Sequence, residues 1–281
     1  MAYPSREQVS EKVDWLAFTV QFYKELKWAD FIKPSWKEIS PVARFTNGLE
    51  NSQGIRIYWN SQRPQMGKHI IMSGSCCTIL EDNLKELLQY VLRESFTVTR
   101  LDLCVDVRHT NMRPENSTYH LKKRQCKTHA KKGEIVSDAL VGGYTQYVGT
   151  RNSATYVRIY DKASEMGTDF TWLRIEISYG KRKTKSAIKA YLSNDDIRGM
   201  VRQFVDFPRW RKWNAVFNTS KIEVRYEHQT SNTRQWIMGV VVKSIAKEMC
   251  LDDGQEFYLS ILQRIREEYY GLTRKGDTID F

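Results

Sequence analysis

Hydrophobic and polar residues alternate strictly along three segments of the chain. In TRLDLCVDV (residues 99–107), every second residue is apolar and the residues between are mostly charged. YVRIYDK (residues 156–162) and LRIEI (residues 173–177) repeat the same period of two. This period is typical of a strand that is covered on one face, so the three segments are predicted strands.

Other patterns extend the predicted order of elements. Shorter apolar runs predict strands at residues 15–20, 55–59 and 68–73. Asn83 is predicted to open a helix whose apolar residues recur at three- and four-residue spacing, namely Leu84, Leu87, Leu88, Val91 and Leu92. Helical periodicity returns at residues 186–192, 235–249 and 255–270.

This order predicts an α+β fold. Its centre is a mostly antiparallel β-sheet flanked by helices, with a helical C-terminal part. The predicted division is a sheet-based domain at residues 1–185 and a mainly helical C-terminal region at residues 186–281. No linker marks the boundary, so one continuous domain is the alternative.

Charge narrows the range of partners. Lys and Arg total 44 against 33 acidic residues, and the net charge is +11. Such an excess favours a polyanion, because basic side chains on phosphates release bound counterions; a basic protein without a nucleic-acid partner is the alternative. The five cysteines contain no C-x-x-C pair, which argues against a disulfide framework or a zinc site. The polar start and the absence of a long apolar stretch predict a cytoplasmic protein with no membrane partner.

The polar faces of the three alternating strands carry an unusual set of side chains. The carboxylates, Asp102, Asp106 and Glu176, would repel one another unless cations offset them, and hard oxygen ligands suit Mg²⁺ or Mn²⁺. A surface lattice of ion pairs is the alternative, and spacing does not show that the strands are adjacent. Tyr156 and Tyr160 lie on one face four residues apart, so spacing does not choose a nucleophile between them. Attack by a tyrosine oxygen on a phosphate would develop negative charge, and the cations that could stabilise it are Arg158, Lys162 and Arg174.

Basic segments outside this face are candidate DNA contacts. Residues 121–133 are predicted to form a mobile basic loop, and residues 181–185 are a second basic run; solvated charged loops are the alternative. Residues 202–213 interleave basic and aromatic side chains. Phe204 and Phe207 are predicted core residues, whereas Trp210 and Trp213 are predicted to be exposed for stacking on bases. The predicted DNA-binding residues are Arg100, Arg151, Lys122, Lys123, Arg124, Arg209, Trp210, Arg211, Lys212 and Trp213.

The sequence also resembles a known family. TRLDLCVDV, YVGTRNSATYVRIYDKASE and LRIEI occur in the order and at the spacing of the replication initiation factor (Rep_trans) family, the rolling-circle initiators of small Gram-positive plasmids. WLAFTV and IIMSGSCC are similar to the family as well, so the resemblance covers roughly residues 14–176. Related proteins occur in phages and conjugative elements.

The resemblance implies a mechanism and assigns residues to it. It makes residues 1–185 the nicking domain and residues 186–281 a DNA-binding and specificity region. Tyr160 is the implied nucleophile, which attacks an origin phosphodiester, stays linked to the 5′-phosphate, leaves a 3′-OH primer and later rejoins the strands. Asp102, Asp106 and Glu176 are the implied metal ligands, and Tyr156 is a supporting residue or a second nucleophile. The five histidines do not form the ligand triplet of the histidine-dependent nicking class.

The resemblance also implies partners. They are double-stranded origin DNA with a hairpin or single-stranded nick site, a second copy of the chain in a homodimer, and a host helicase, since no phosphate-binding loop is found. Two other functions stay open. One is a relaxase of a conjugative element or phage with the same chemistry, and the other is a non-catalytic origin-binding protein.

Overall fold

The three alternating segments form neighbouring strands in one large sheet. The structure, a computed structural model, describes residues 7–21, 35–138, 143–225, 241–251 and 254–274. The strands in these ranges are β1 (Gln8–Val20), β2 (Trp36–Glu38), β3 (Asn47–Asn51), β4 (Ile55–Trp59), β5 (Lys68–Met72), β6 (Thr97–Arg108), β7 (Lys127–Thr128), β8 (Gly133–Asp138), β9 (Gly143–Val148), β10 (Thr155–Asp161), β11 (Trp172–Gly180) and β12 (Val205–Asp206). Ten of them pair antiparallel in the order β2-β3-β4-β5-β1-β6-β11-β10-β9-β8, and β12 pairs with β7. The predicted α+β fold is confirmed.

Helices cover this sheet and follow it along the chain. They are α1 (Gly74–Ile79), α2 (Glu81–Arg93), α3 (Pro114–Lys122), α4 (Lys162–Met166), α5 (Thr184–Asn194), α6 (Ile197–Phe204), α7 (Arg211–Val216), α8 (Val242–Glu248) and α9 (Gly254–Arg274). The predicted helices at residues 186–192 and 255–270 correspond to α5 and α9. The start of the predicted helix at residues 235–249 lies outside the described residues, and α8 forms its end. No described helix is long and apolar enough to cross a membrane.

The hydrophobic core lies on the helix-covered face of the sheet. Helices α5 and α6 pack on β6, and α2 packs on α5. The alternation of β6 points its apolar residues into this layer, and all four are fully buried: Leu101, Leu103, Val105 and Val107. Burying one such side chain contributes about 1.5–3 kcal/mol, so the apolar face fixes which side of β6 carries the polar residues.

Contacts divide the chain into two compact units, Met1–Tyr226 and Glu227–Phe281. The first contains the sheet and helices α1–α7, and the second contains α8 and α9. The division that the sequence predicts at residue 185 falls within the first unit. A separate nicking domain and specificity region therefore remain a functional prediction.

The predicted exposure of Trp210 and Trp213 is wrong. Trp213 is fully buried and Trp210 is 8% exposed. The Trp213 ring stacks on Phe217 with centroids 3.9 Å apart and meets the Phe207 ring edge-on at 4.8 Å. Aromatic residues at three- and four-residue spacing share one side of a helical segment, and burial against each other stabilises them more than exposure would. The intervening Arg209, Arg211 and Lys212 are exposed.

Two local predictions also need correction. Residues 121–133 do not form one mobile loop, because α3 includes Leu121 and Lys122, and Lys127–Thr128 pairs with Val205–Asp206 as β7. Helix α2 begins at Glu81, two residues before Asn83. Glu81 and Asp82 occupy its first turn, where acidic side chains interact favourably with the helix dipole.

Candidate functional site

One face of β6, β11 and β10 carries charged side chains on three adjacent strands. Arg174 lies opposite both Asp106 and Tyr160, and Glu176 lies opposite Arg158. Alternate residues of a strand share a face, so these side chains lie on the side of the sheet away from the core. Asp102 and Asp106 are 1% exposed and Glu176 is 0% exposed. A solvated surface lattice would leave such acids exposed, so their burial argues against that alternative.

Tyr160 is tied to one of these carboxylates. Its hydroxyl donates a hydrogen bond to Glu176 Oε2 at 3.3 Å, and the residue is 8% exposed. Burial raises the pKa of Tyr160 well above its ordinary value, and the charge of Glu176 raises it further, against the opposing effect of Arg174 and Arg158. The phenol is therefore neutral at neutral pH, and a proton acceptor lies within reach of its oxygen.

Tyr156 has different surroundings although it shares the face. It is half-buried and lies opposite Ser178, and its ring is 6.2 Å from that of Tyr147. Its hydroxyl makes no hydrogen bond to a carboxylate among the described residues. The two tyrosines are equivalent in the alternation pattern, but in the structure only Tyr160 bonds to Glu176.

Glu176 and Asp102 form a pair of buried carboxylates. Burial raises the pKa of Glu176, and so do the charge of Asp102 and a hydrogen bond with it, while Arg158 acts in the opposite direction. Arg158 Nη2 donates to Glu176 Oε1, and Arg100 holds Asp102 through Nε at 3.0 Å and through Nη2. Beside them, Ser178 Oγ is buried and has no partner among the described residues. Two repelling carboxylates and an unpaired hydroxyl are hard oxygen donors, and they fit a Mg²⁺ or Mn²⁺ ion.

Asp106 does not join this pair. Arg174 binds it through Nε to Oδ1 at 2.6 Å and through Nη2 to Oδ2 at 2.8 Å, and Trp172 Nε1 donates to Oδ1 at 2.8 Å. Both oxygens are thus occupied by buried donors. No cluster of three or more His, Cys, Asp or Glu residues suited to a metal ion occurs in the part of the chain that the structure describes. The contacts favour a structural ion pair for Asp106 over the expected third metal ligand.

Asp14 is a site residue that the sequence patterns do not reveal. Its Oδ1 accepts a hydrogen bond from Arg174 Nη1 at 2.7 Å. Burial raises the pKa of Asp14, against the charge of Arg174, and the charge of Glu176 raises it further. Asp14 lies where the pairing of β1 with β6 shifts between Val13 and Trp15. Such a bulge aims an extra side chain at a site, and no period in the apolar residues marks it.

The remaining predicted cations lie around this face. Lys162 is the first residue of α4 rather than a strand residue, because Asp161 caps that helix through Ala163 N at 3.0 Å. Lys162 Nζ pairs with Glu165 at 2.6 Å and lies 5.9 Å from the centre of the Tyr160 ring. Arg151 is exposed in the loop before β10, and its guanidinium lies 4.6 Å from the centre of the Tyr147 ring. The exposed residues at the end of α3 are Lys122, Lys123 and Arg124.

Three comparisons with known proteins bear on this site. The family model described as "Replication initiation factor" matches residues 96–256, which is more than half of the chain and includes β6, β10 and β11. The putative DNA relaxase NicK of Bacillus subtilis (strain 168) is 23% identical over 172 residues, covering 54% of this chain and 49% of that protein. The match thus spans about half the length of that relative.

A solved structure has the same fold. The rolling circle replication initiator protein from Geobacillus stearothermophilus superposes with a TM-score of 0.61 at 20% identity, covering 78% of this chain and 94% of that one. At this level of identity the likeness establishes the fold alone.

Proposed function

This chain belongs to the replication initiation factor family, and from that premise we propose that it is a metal-dependent nicking-closing enzyme that initiates rolling-circle replication. It cuts one strand of origin DNA with Tyr160 as the nucleophile. The observation that carries the assignment is the hydrogen bond from the Tyr160 hydroxyl to buried Glu176. This bond supports the choice of Tyr160 because it provides a proton acceptor, whereas Tyr156 on the same face has no carboxylate partner among the described residues.

The proposed reaction exchanges one phosphodiester for another. The Tyr160 oxygen attacks the scissile phosphorus and the bond to the 3′ oxygen breaks. The products are a 5′-phosphotyrosine and a 3′-OH primer, with the leaving oxygen taking up a proton. The phenolic proton passes to Glu176, which already accepts the hydrogen bond of the Tyr160 hydroxyl and whose pKa is raised by burial. Attack by a 3′-OH on the phosphotyrosine reverses these bond changes and rejoins the strands.

Asp102 and Glu176 would hold the divalent ion, with Ser178 beside them. When bound, a Mg²⁺ or Mn²⁺ ion polarises a phosphoryl oxygen and offsets the charge that develops on it. The two carboxylates fit this role because each is buried and each otherwise depends on an arginine for neutralisation. Asp106 is omitted from the proposed ligands because its partner Arg174 is 3% exposed and also binds Asp14. The arginines that hold Asp102 and Glu176 are 38% and 27% exposed, so they can move away from these carboxylates when an ion binds.

The arginines divide into two proposed roles. The side chains of Arg100 and Arg158 are 38% and 27% exposed, so an incoming phosphate can reach their guanidinium groups. Arg174 is 3% exposed and is shared by Asp106 and Asp14. Arg174 is therefore proposed as a positioning residue for β11, and Arg100 and Arg158 as the phosphate contacts.

The proposal includes the partners that the family implies. They are double-stranded origin DNA whose nick site is a hairpin or single-stranded, a host helicase that separates the strands, and a second copy of the chain. The exposed cations Arg209, Arg211 and Lys212 remain proposed DNA contacts, together with Arg151 and the basic end of α3. Trp210 and Trp213 are buried and are not proposed to stack on bases.

A nicking assay tests the proposal. Supercoiled DNA carrying the region that flanks the coding sequence is incubated with protein and Mn²⁺ or Mg²⁺, and covalent adducts are resolved on denaturing gels. We expect adducts with wild type and Tyr156→Phe and none with Tyr160→Phe. Adducts that persist in Tyr160→Phe and vanish in Tyr156→Phe would reverse the assignment.

A second candidate function has one observation in its favour. The relative named as a putative DNA relaxase matches about half of this chain, so the same chemistry could serve transfer of a conjugative element or phage. Nicking of a transfer origin, with no nicking of a replication origin, would favour that alternative. Tight binding without nicking of either would favour a non-catalytic origin-binding protein.

A further inference from the structure

A cavity lies at one end of the sheet, on the face opposite Tyr160. Its volume is about 580 Å³, within the range of small-molecule sites. Its walls come from helix α6, the ends of β10 and β11, and the segments at residues 129–132 and 149–155. Backbone hydrogen bonds join these walls, from His129 N to Phe204 O at 3.2 Å and from Gly149 N to Lys132 O at 2.8 Å. The cavity is therefore preformed.

The inner wall combines apolar and hydrogen-bonding groups. Tyr179 and Met200 are 3% and 1% exposed, and the half-buried side chains of Phe204 and Gln203 lie beside them. Thr155 is 8% exposed, and its Oγ1 is buried with no partner among the described residues. An aromatic surface next to an amide and an unpaired hydroxyl suits a flat heterocycle with polar edges.

The rim of the cavity is basic. Lys131, Lys132 and Lys183 line it, and none forms an ion pair with a residue that the structure describes. The rim also has one acid, Glu223, which pairs with Arg225 at 3.3 Å. Cations around an aromatic pocket match a phosphate attached to a base, so the chemistry is that of a nucleotide.

We propose that this cavity, the strand-end pocket, holds one unpaired nucleotide of the DNA strand that the enzyme cuts. The inference rests on the proposed function for the identity of the strand. Thr155 and Tyr156 are consecutive in β10 and point to opposite faces, and Thr155 precedes Tyr160 by five residues, about 17 Å along a strand. A strand passing over the loop before β10 reaches both the pocket and Tyr160. The base enters only when unpaired, which restricts the occupant to single-stranded DNA.

The test separates base contacts from phosphate contacts and needs no knowledge of the origin. Fluorescence anisotropy measures binding of the full chain to a labelled 16-nucleotide oligothymidylate and to an abasic polymer of equal length. Phe204→Leu and Thr155→Val should weaken oligothymidylate binding about tenfold and about threefold while leaving abasic binding unchanged. Lys183→Glu should weaken binding of both polymers. The matched control is Lys68→Glu on β5. Lys68 is exposed, and three strands separate β5 from β10, so this variant should change binding of neither polymer.

Each outcome decides between the proposals. Unchanged preference for oligothymidylate over the abasic polymer in Phe204→Leu and Thr155→Val, with unfolding temperatures near wild type, would overturn the pocket. Competition by thymidine monophosphate at the affinity of the oligonucleotide would indicate a free-nucleotide site and overturn the strand assignment. Tyr160→Phe should bind both polymers like wild type without nicking. A third outcome separates the two proposals. If wild type nicks no DNA but the pocket variants still lose the preference for oligothymidylate, the proposed function is wrong and the pocket proposal holds.

Discussion

Replacing Asp106 with Asn tests whether this carboxylate is a metal ligand or a structural ion-pair partner that joins two strands of the sheet. Both oxygens of Asp106 accept hydrogen bonds from Arg174, and Oδ1 accepts another from Trp172. The pair joins β6 to β11, since Asp106 and Arg174 are direct partners in the strand register. Loss of the carboxylate leaves a buried guanidinium with Asp14 as its remaining acidic partner.

The size of the effect follows from this burial. Removing one member of a buried ion pair costs about 3–5 kcal/mol, and the remaining contact with Asp14 favours the lower end, about 3 kcal/mol. For a compact unit of this size, each kcal/mol changes the unfolding temperature by about 2–4 °C, so a decrease of about 6–12 °C is expected. The matched control is Asp195→Asn, because Asp195 pairs with Lys85 at 2.5 Å while its side chain is 61% exposed. An exposed pair contributes about 0–1 kcal/mol, so the control should stay close to wild type.

Two measurements on the same variants complete this test. Thermal unfolding followed by circular dichroism gives the stability, and isothermal titration with MnCl₂ gives the metal affinity. Asp106→Asn should unfold at the lower temperature and bind Mn²⁺ with near wild-type affinity below that temperature. Unchanged stability together with lost Mn²⁺ binding would show that Asp106 is a metal ligand and that the reasoning from its contacts is wrong.

Three further predictions address the metal pair and the aromatic cluster. Burial and the charge of Asp102 raise the pKa of Glu176, so the folded state is stabilised when this carboxyl is protonated. That stabilisation is complete below the unfolded pKa of about 4.3 and is lost as the pH rises through the folded pKa. Metal-free Glu176→Gln should therefore melt above wild type at pH 7 but not at pH 3.5. Saturating Mn²⁺ should raise the melting temperature of wild type, with about 2.7 kcal/mol of stabilisation at a hundred times the dissociation constant, and Asp102→Asn should abolish that shift. Trp213→Ala should lower stability by about 3–5 kcal/mol in denaturant melts, with little change in DNA affinity per folded molecule. Arg211→Ala should lower DNA affinity with little change in stability.

Alternation predicts the central strands because each has one covered face. β6 from Leu101 to Val107 and β11 from Leu173 to Tyr179 keep every second side chain in the core, so the period of two is visible in the sequence. β9 does not show this period, because the polar side chain of Gln146 is buried in it, at 3% exposure, and accepts a hydrogen bond from Thr118 Oγ1 at 2.6 Å. The short strands β7 and β12 exist through pairing with each other across more than seventy residues, and a local pattern carries no trace of such a partner.

The sequence indicates which side chains share a face but not which partners they choose. Asp102 and Asp106 are equivalent in spacing, yet one adjoins Glu176 and the other is bound by Arg174. The difference depends on register, which sets Ser178 opposite Asp102 and Arg174 opposite Asp106. It also depends on the bulge that introduces Asp14. The register and the bulge both depend on packing between segments that are distant in the chain. The family resemblance therefore identifies the residues of the site, and their contacts in the structure distinguish their proposed roles.

The same register bears on how the proposed nucleophile is controlled. Tyr160 is buried and its raised pKa keeps it neutral, so a phenolate does not form at neutral pH in the free protein. Arg158 contacts Glu176, lies 5.4 Å from the centre of the Tyr160 ring, and is the more exposed of the arginines that flank this tyrosine. In the proposed function, a phosphate that draws Arg158 away from Glu176 leaves that carboxylate with less compensation and makes it a stronger base. Proton transfer from Tyr160 then becomes favourable when DNA is bound, which couples activation of the nucleophile to the presence of its substrate.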